Sequence, residues 1–348
     1  MPCRLMCVWW PMSNTVENRL QHLDGWRGLA ILSVLVGHFV TSKWLNLGRF
    51  GVELFFVLSG RLMAEILFVK QVPLASFFPR RISRVYPALL VFCTVMLLIA
   101  PLLNGQGPDL KQYLSAITFT ANYADSLVGR SPALDHIWSL CVEEHMYVLL
   151  GLVALWSRSR GGGVPVATIC FGLALAAMAN GLLQTLAGGS YFEVYWRSDV
   201  RGASILLAAA FYLKLREEPT GLLASPWAAL VLGALGLAFS FDKVPDPVKY
   251  SLGTACVALS LCLAHRLPAV LLNLLQHPIL IRTGLYSYSL YLWQQPFYKA
   301  GHNVFGKLAL LPIAIVVALI SFYLIEQPAR RFLNGLLERR LKPAPAAG

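Results

Sequence analysis

Apolar residues fall in repeated long runs between charged positions. Ten such runs can be read off the chain, approximately 27–44, 50–69, 85–103, 137–156, 164–186, 200–214, 221–241, 248–264, 280–298 and 308–325. A helix crossing about 30 Å of hydrocarbon needs about 20 mostly apolar residues. Most of the runs approach that length, several contain ionisable residues, and three stretches between charges are too short to span without help. Lipid offers loose backbone groups no partner, so helices are the default, and the density of Leu and Ala favours helix over barrel strand. The pattern predicts an all-α polytopic membrane protein with about ten transmembrane helices.

Composition excludes the soluble alternative. Of 348 residues, 57% are hydrophobic and 13% charged, with a mean hydropathy of +0.61; a soluble domain is nearer 45–50% apolar and about 25% charged. Lys and Arg number 29 against 17 Asp and Glu, a net charge of +12. In a membrane protein such an excess records orientation rather than nucleic-acid binding, and no nucleic-acid partner is expected. With the N-terminus inside, the inner segments hold 18 of these cations and the outer segments 10, Arg61 lying within a span. Both termini are therefore expected in the cytoplasm. The longest extramembrane piece, about 104–136, falls outside and is too short for a folded domain. The seven cysteines show no ligand spacing and read as small apolar packing residues. The first eleven residues lack the apolar core of an ordinary signal peptide, and Met12 could equally be the start. No internal repeat suggests an inverted-repeat transporter.

A charge held at the bilayer centre costs at least about 2.5 kcal/mol on insertion scales, so each one is a candidate for function. Arg27 and His38 are 11 residues apart, about 20° past three full turns, on one helix face and about 16 Å apart along the axis. Arg27 must snorkel or face a wet cavity; the plainer alternative is a headgroup anchor with His38 as a hydrogen-bonded interior residue. Arg61 and Glu65 at i, i+4 suit a structural pair. Arg81 and Arg84 in SFFPRRISRVYP form one basic face, suited to phosphates of a ligand or to lipid headgroups. Glu143 and Glu144 are adjacent and point about 100° apart, so at most one can share a cavity with His38. Asp199 and Arg201 suggest a local pair. No metal site is expected, since His136 and His145 lack companions at ligand spacing, and neither GxSxG nor a P-loop occurs. The Tyr-rich stretch 285–293 reads as packing or an aromatic interface.

Seven segments together resemble the membrane-bound acyltransferase 3 family: LDGWRGLAILSVLVGH (23–38), GVELFFVLSG (51–60), RRISRVYPALL (80–90), IWSLCVEEHMYVLL (137–150), DVRGASILLAA (199–209), SYSLYLWQQP (287–296) and IEQPARR (325–331). The resemblance runs from about Arg19 to Arg331. It places the family's Arg-x10-His motif on Arg27 and His38 and its RxxR motif on Arg81 and Arg84. It implies an acyl-CoA donor, usually acetyl-CoA, supplied from the cytoplasm, and an acceptor hydroxyl on an envelope or exported carbohydrate. Three positions depart from the commonest family pattern: Gln294 where His is frequent, His145 where Gln is frequent, and Arg61 where an apolar residue is frequent. Gln294 is therefore given no proton-transfer role. Larger family members add an extracytoplasmic esterase-like domain, which this chain is too short to hold.

The expectation is an O-acetyltransferase of the bacterial inner membrane acting on a carbohydrate or glycolipid, with a tail over 1–18, the transmembrane domain over 19–331 and a cytoplasmic tail over 332–348. His38 would take the acceptor's proton, because a base with near-neutral affinity in a dry cavity activates an otherwise poor nucleophile. Whether His38 does so directly or first carries the acyl group is open. Arg81 and Arg84 would hold CoA phosphates, Arg27 would bind the pantetheine end or steady an oxyanion, and Glu143 or Glu144 would orient His38 or an Arg, with Glu53 a weaker candidate. The competing class is a transporter or flippase with no bond-making step; a sensor or scaffold is a third.

Overall fold

The computed structural model describes residues 14–40, 44–104, 107–161, 163–216 and 221–341. Arg4, Cys3, Cys7 and the alternative start at Met12 lie outside the described residues, as do Lys43 and Lys342. Every one of the ten apolar runs is helical over most of its length. The helices that build the molecule are α1 (Asn14–Phe39), α2 (Leu47–Ala64), α3 (Leu74–Asn104), α4 (Trp138–Ser159), α5 (Val166–Leu186), α6 (Ser198–Lys214), α7 (Ala228–Phe239), α8 (Thr254–Cys262), α9 (Pro278–Leu285), α10 (Ser287–Ala300), α11 (Val304–Ser321) and α12 (Gln327–Leu341). No β-sheet forms among the described residues; a single bridge joins Leu45 to Phe241. Among the described residues, four segments are by themselves long and apolar enough to cross a membrane: Leu74–Ile99, Asp135–Ser159, Val166–Leu186 and Val304–Arg340.

Two departures from the runs read in the sequence bear on the site. α3 begins at Leu74 rather than near residue 85. The arginines of SFFPRRISRVYP look like a boundary in a hydropathy pattern, but they turn inward to carboxylates and a cavity, so the helix has no need to end there. The run 280–298 divides at Tyr286 into α9 and α10. Five-residue π-helical turns follow α2 (Glu65–Val69), precede α8 (Lys249–Gly253) and join α11 to α12 (Phe322–Glu326). Arg158 donates to the carbonyls of Leu67 and Val72, at 2.8 and 3.0 Å, and so serves acceptors that the first of these turns leaves over.

α1 packs chiefly against α2 and α9. Gly25 and Gly28 of its DGWRG segment bring its backbone against its neighbours: a Cβ at Gly25 would overlap the carbonyl oxygen of Leu275, and one at Gly28 that of Leu280 in α9. Ile31, Val34 and Phe39 of α1 join Phe56 of α2, Phe92 of α3 and Leu150 of α4 in one buried core. Leu152, Leu175, Leu183, Val316 and Ile320 remain exposed on the outer surface, as expected where the surrounding medium is itself apolar. The five described cysteines are reduced, four of them buried and Cys256 half-buried, consistent with packing roles.

Two charge pairs were read in the sequence as local. Arg61 and Glu65 do pair, at 3.7 Å, and Lys70 joins Glu65 at 2.9 Å. Asp199 and Arg201 do not. Asp199 pairs with Arg197 at 2.8 Å, whereas Arg201 crosses to Glu53 of α2 at 2.7 Å. Residues two apart point to nearly opposite sides of a helix, so Asp199 faces outward and Arg201 inward. Thr254 donates to the other Glu53 oxygen at 2.5 Å, and the Arg201 guanidinium lies 3.9 Å from the Tyr250 ring centre. One buried pair thereby ties α2, α6 and α8 together.

Candidate active site

A cavity of about 680 Å³ opens among α1, α2, α3, α4, α10 and α12. Six cations line it (Arg27, Lys70, Arg80, Arg81, Arg84 and Arg330) against two carboxylates, Glu65 and Glu143. Its remaining wall is largely apolar and aromatic. An anion with several charges and an apolar extension fits such a lining: arginine forks match phosphate oxygens, and the field of like charges in a confined space attracts the anion.

The two arginines of the RxxR segment occupy different surroundings. Arg81 is clasped by both adjacent glutamates, with its Nη2 donating to Glu143 at 2.8 Å and its Nε to Glu144 at 3.0 Å. Ser59 and the Tyr147 hydroxyl also donate to Glu143, each at 2.9 Å, and the Arg81 guanidinium lies 4.0 Å from the Tyr147 ring centre. The two glutamates, of which the sequence allowed at most one into a cavity with His38, both meet a single planar guanidinium, and only Glu143 lines the cavity. Arg84, one turn further along α3, lines the cavity with Arg27 and Arg330. Arg27 is additionally paired with Asp24 at 2.9 Å.

His38 does not line this cavity. Its Nδ1 is 2.8 Å from Oε1 of Gln294, and its ring stacks on Tyr298 at 4.4 Å between centres. With Gln294 Oε1 as acceptor, Nδ1 carries the proton and Nε2 is left unprotonated, the form a general base requires. Gly48 sits beside Nε2; a Cβ there would come within 3.0 Å of it. The link between cavity and histidine is α10. Tyr291 is one of the residues lining the cavity, its hydroxyl donating to the His136 carbonyl at 2.8 Å and lying 2.7 Å from Ser139 Oγ. Gln294 follows three residues later, one turn along the same helix.

Of the residues singled out in the sequence, Arg27, Arg81, Arg84 and Glu143 line this one cavity. Glu144 joins them through Arg81, and His38 stands apart. Sequence reasoning missed Gln294, Tyr291, Tyr298, Ser59 and Arg330. Gln294 was set aside because it replaces a frequent His, although an amide oxygen orients an imidazole as well as a second ring does. Tyr147 was findable, lying four residues after Glu143 on the same helix.

The described chain is a helical bundle that turns charges inward around a cation-lined cavity and holds His38 against Gln294. The chain belongs to the acyltransferase 3 family, whose model, described as an acyltransferase domain, matches residues 20–326. It is 29% identical over 354 aligned positions to a Bacillus subtilis (strain 168) protein provisionally named peptidoglycan O-acetyltransferase YrhL; the alignment covers 88% of this chain and 54% of that protein. It is 26% identical to the O-acetyltransferase OatA of Staphylococcus aureus (strain NCTC 8325 / PS 47), over 90% of this chain and 57% of that one. The chain thus spans a little over half the length of these relatives. No solved structure matches it.

Proposed function

We propose that this protein is an O-acyltransferase with ten membrane crossings and both termini in the cytoplasm, moving an acetyl group from acetyl-CoA to a hydroxyl of a cell-envelope carbohydrate. The observation that carries the reading is the cavity lined by six cations and two carboxylates, whose lining includes Tyr291, one turn of helix from the Gln294–His38 pair. The cation-lined mouth faces the cytoplasm and takes the nucleotide of the donor, and the thioester arm reaches inward along the apolar wall. Arg84 and Arg27 bind the anionic part, and Arg81 with Glu143 and Glu144 holds α3 against α4 at the mouth. The net reaction exchanges a C–S for a C–O bond. The acceptor hydroxyl loses its proton to His38 Nε2 as its oxygen becomes bonded to the acyl carbon, and the CoA sulfur leaves as a thiolate that takes up a proton. A peptidoglycan acceptor is supported by the name of the Bacillus relative.

The test is release of free CoA thiol from acetyl-CoA by the purified full-length protein in liposomes, with and without peptidoglycan fragments. Acceptor-dependent release, lost in His38→Ala, supports the reading. Transport of acceptor with no thiol released would overturn it in favour of a carrier.

A further inference from the structure

His38 lies outside the cation-lined cavity, eleven residues along α1 from Arg27, and its imidazole is half-buried. Its surroundings there are built by the corner between α10 and α11. Gly301 stands at that corner, where a Cβ would come within 2.7 Å of the Lys307 backbone nitrogen and 2.6 Å of its Cγ. This close approach folds the first turn of α11 back on the end of α10 and brings Lys307 beside Lys299. Both ammonium groups lie over one ring, that of Tyr298, with Nζ 5.4 Å from its centre for Lys299 and 5.7 Å for Lys307. His38 stacks on the same ring at 4.4 Å, so both cations stay within about 10 Å of the imidazole, and both charges are felt there.

Two general rules count against lysines in this place. On the topology proposed above this corner faces outward, the side where Lys and Arg are depleted. A cation in the first turn of a helix is also opposed by the helix dipole, and Lys307 is the fourth residue of α11. Nor does a carboxylate account for the pair. The carboxylate whose charge reaches Tyr298 is Asp135, and both of its oxygens are taken by the Arg130 guanidinium, at 2.9 and 3.3 Å. Lys299 is exposed and forms no ion pair among the described residues. We propose that Lys299 and Lys307, gathered on Tyr298, form an anion subsite for the acceptor beside His38, so that the acylated carbohydrate is an acidic one with a carboxylate on the acylated sugar or its neighbour. Lysines suit a flexible acid, because each is a point charge on a long stem that can follow it. The proposal rests on the O-acyltransferase reading above and adds the chemical class of the acceptor. An anionic lipid headgroup offers the same negative charge, so the experiment has to separate the two sources.

Acceptor-dependent release of CoA thiol from acetyl-CoA is measured on the full-length protein in phosphatidylcholine liposomes. Acceptors are supplied as matched pairs: a peptidoglycan fragment and a uronic-acid oligosaccharide, each beside its methyl ester. Wild type should show a KM about 5-fold or more lower for the acid than for its ester. Lys299→Gln and Lys307→Gln should each raise the KM for the acid about 2- to 5-fold while the KM for acetyl-CoA stays put, and the double variant should bring the acid and ester values together. Lys299→Arg should keep the preference, and Lys243→Gln, which removes an exposed lysine lying against Trp44, should match wild type. If no acceptor elicits thiol release, the O-acyltransferase reading falls and this inference with it. Release with equal KM for acid and ester overturns the inference alone. So does a lysine variant that loses activity on acid and ester by the same factor, which marks a structural role at the corner. A lysine effect seen only in liposomes that contain phosphatidylglycerol overturns it too, by assigning the lysines to lipid.

Discussion

At the residue scale, the pairing of His38 with Gln294 has direct kinetic consequences. Removing a general base costs about 10²- to 10⁴-fold in rate, so His38→Ala should abolish acyl transfer while membrane abundance stays at the wild-type level. In the proposed mechanism Gln294 acts through His38 by accepting from its Nδ1. Gln294→Ala should lower kcat by about 10-fold or more with little change in the KM for acetyl-CoA, and Gln294→Glu, which keeps an oxygen acceptor, should recover part of that loss. A KM change as large as the kcat change would place Gln294 in substrate binding instead. The two arginines of the RxxR segment should also separate. Arg84→Lys keeps a charge but loses the paired geometry and should raise the KM for acetyl-CoA about 10-fold with kcat nearly constant. Arg81→Ala strands two largely buried carboxylates, a change of the kind that costs about 3–5 kcal/mol, and should be read first as a loss of folded protein in detergent.

At the scale of elements, the helices are held together by close backbone approach and by internal ion pairs, among them Glu53–Arg201. Gly28→Ala inserts a methyl where α1 meets the Leu280 carbonyl of α9. Overpacking of this kind costs about 1–3 kcal/mol and should lower the thermal midpoint of the detergent-solubilised protein. The Glu53–Arg201 pair gives a sharper test. Arg201→Met alone should be strongly destabilising, because Glu53 is left buried with only Thr254 to serve it. The double variant Glu53→Leu/Arg201→Met should recover much of the stability, since apolar replacement of a buried pair is often neutral or stabilising. Equal damage from single and double variants would mean that the shape of the α2–α6–α8 junction, and not its charge, is what matters.

At the scale of the whole molecule, the excess of 18 inner over 10 outer cations predicts one orientation. A reporter fused after Arg340 should be active only as a cytoplasmic fusion, and periplasmic activity would invert the assignment of donor and acceptor sides. The separation of the cation-lined cavity from His38 has the same origin. Arg27 and His38 share a helix whose length spreads them about 16 Å apart along its axis, so one end of α1 lines the cation-rich cavity and the other carries His38 to Gln294.

Helical class, membrane character and the four inward-facing residues Arg27, Arg81, Arg84 and Glu143 were legible in the chain itself, because apolar runs and out-of-place charges obey rules that act within one helix. The partners of those charges were not. Which glutamate meets Arg81, that Arg201 reaches Glu53 instead of its near neighbour Asp199, and that Gln294 holds His38 from 256 positions away all depend on the rotation of one helix against another. Helix rotation is decided by small-residue contacts such as Gly28 on Leu280 and by the π-helical turns, both of which are products of packing. Arg330 shows the limit most plainly: in the sequence it is one more positive charge at the end of a span, and only the docking of α12, with Asn334 on Ser83 and Glu338 on Arg80, turns it into the cavity.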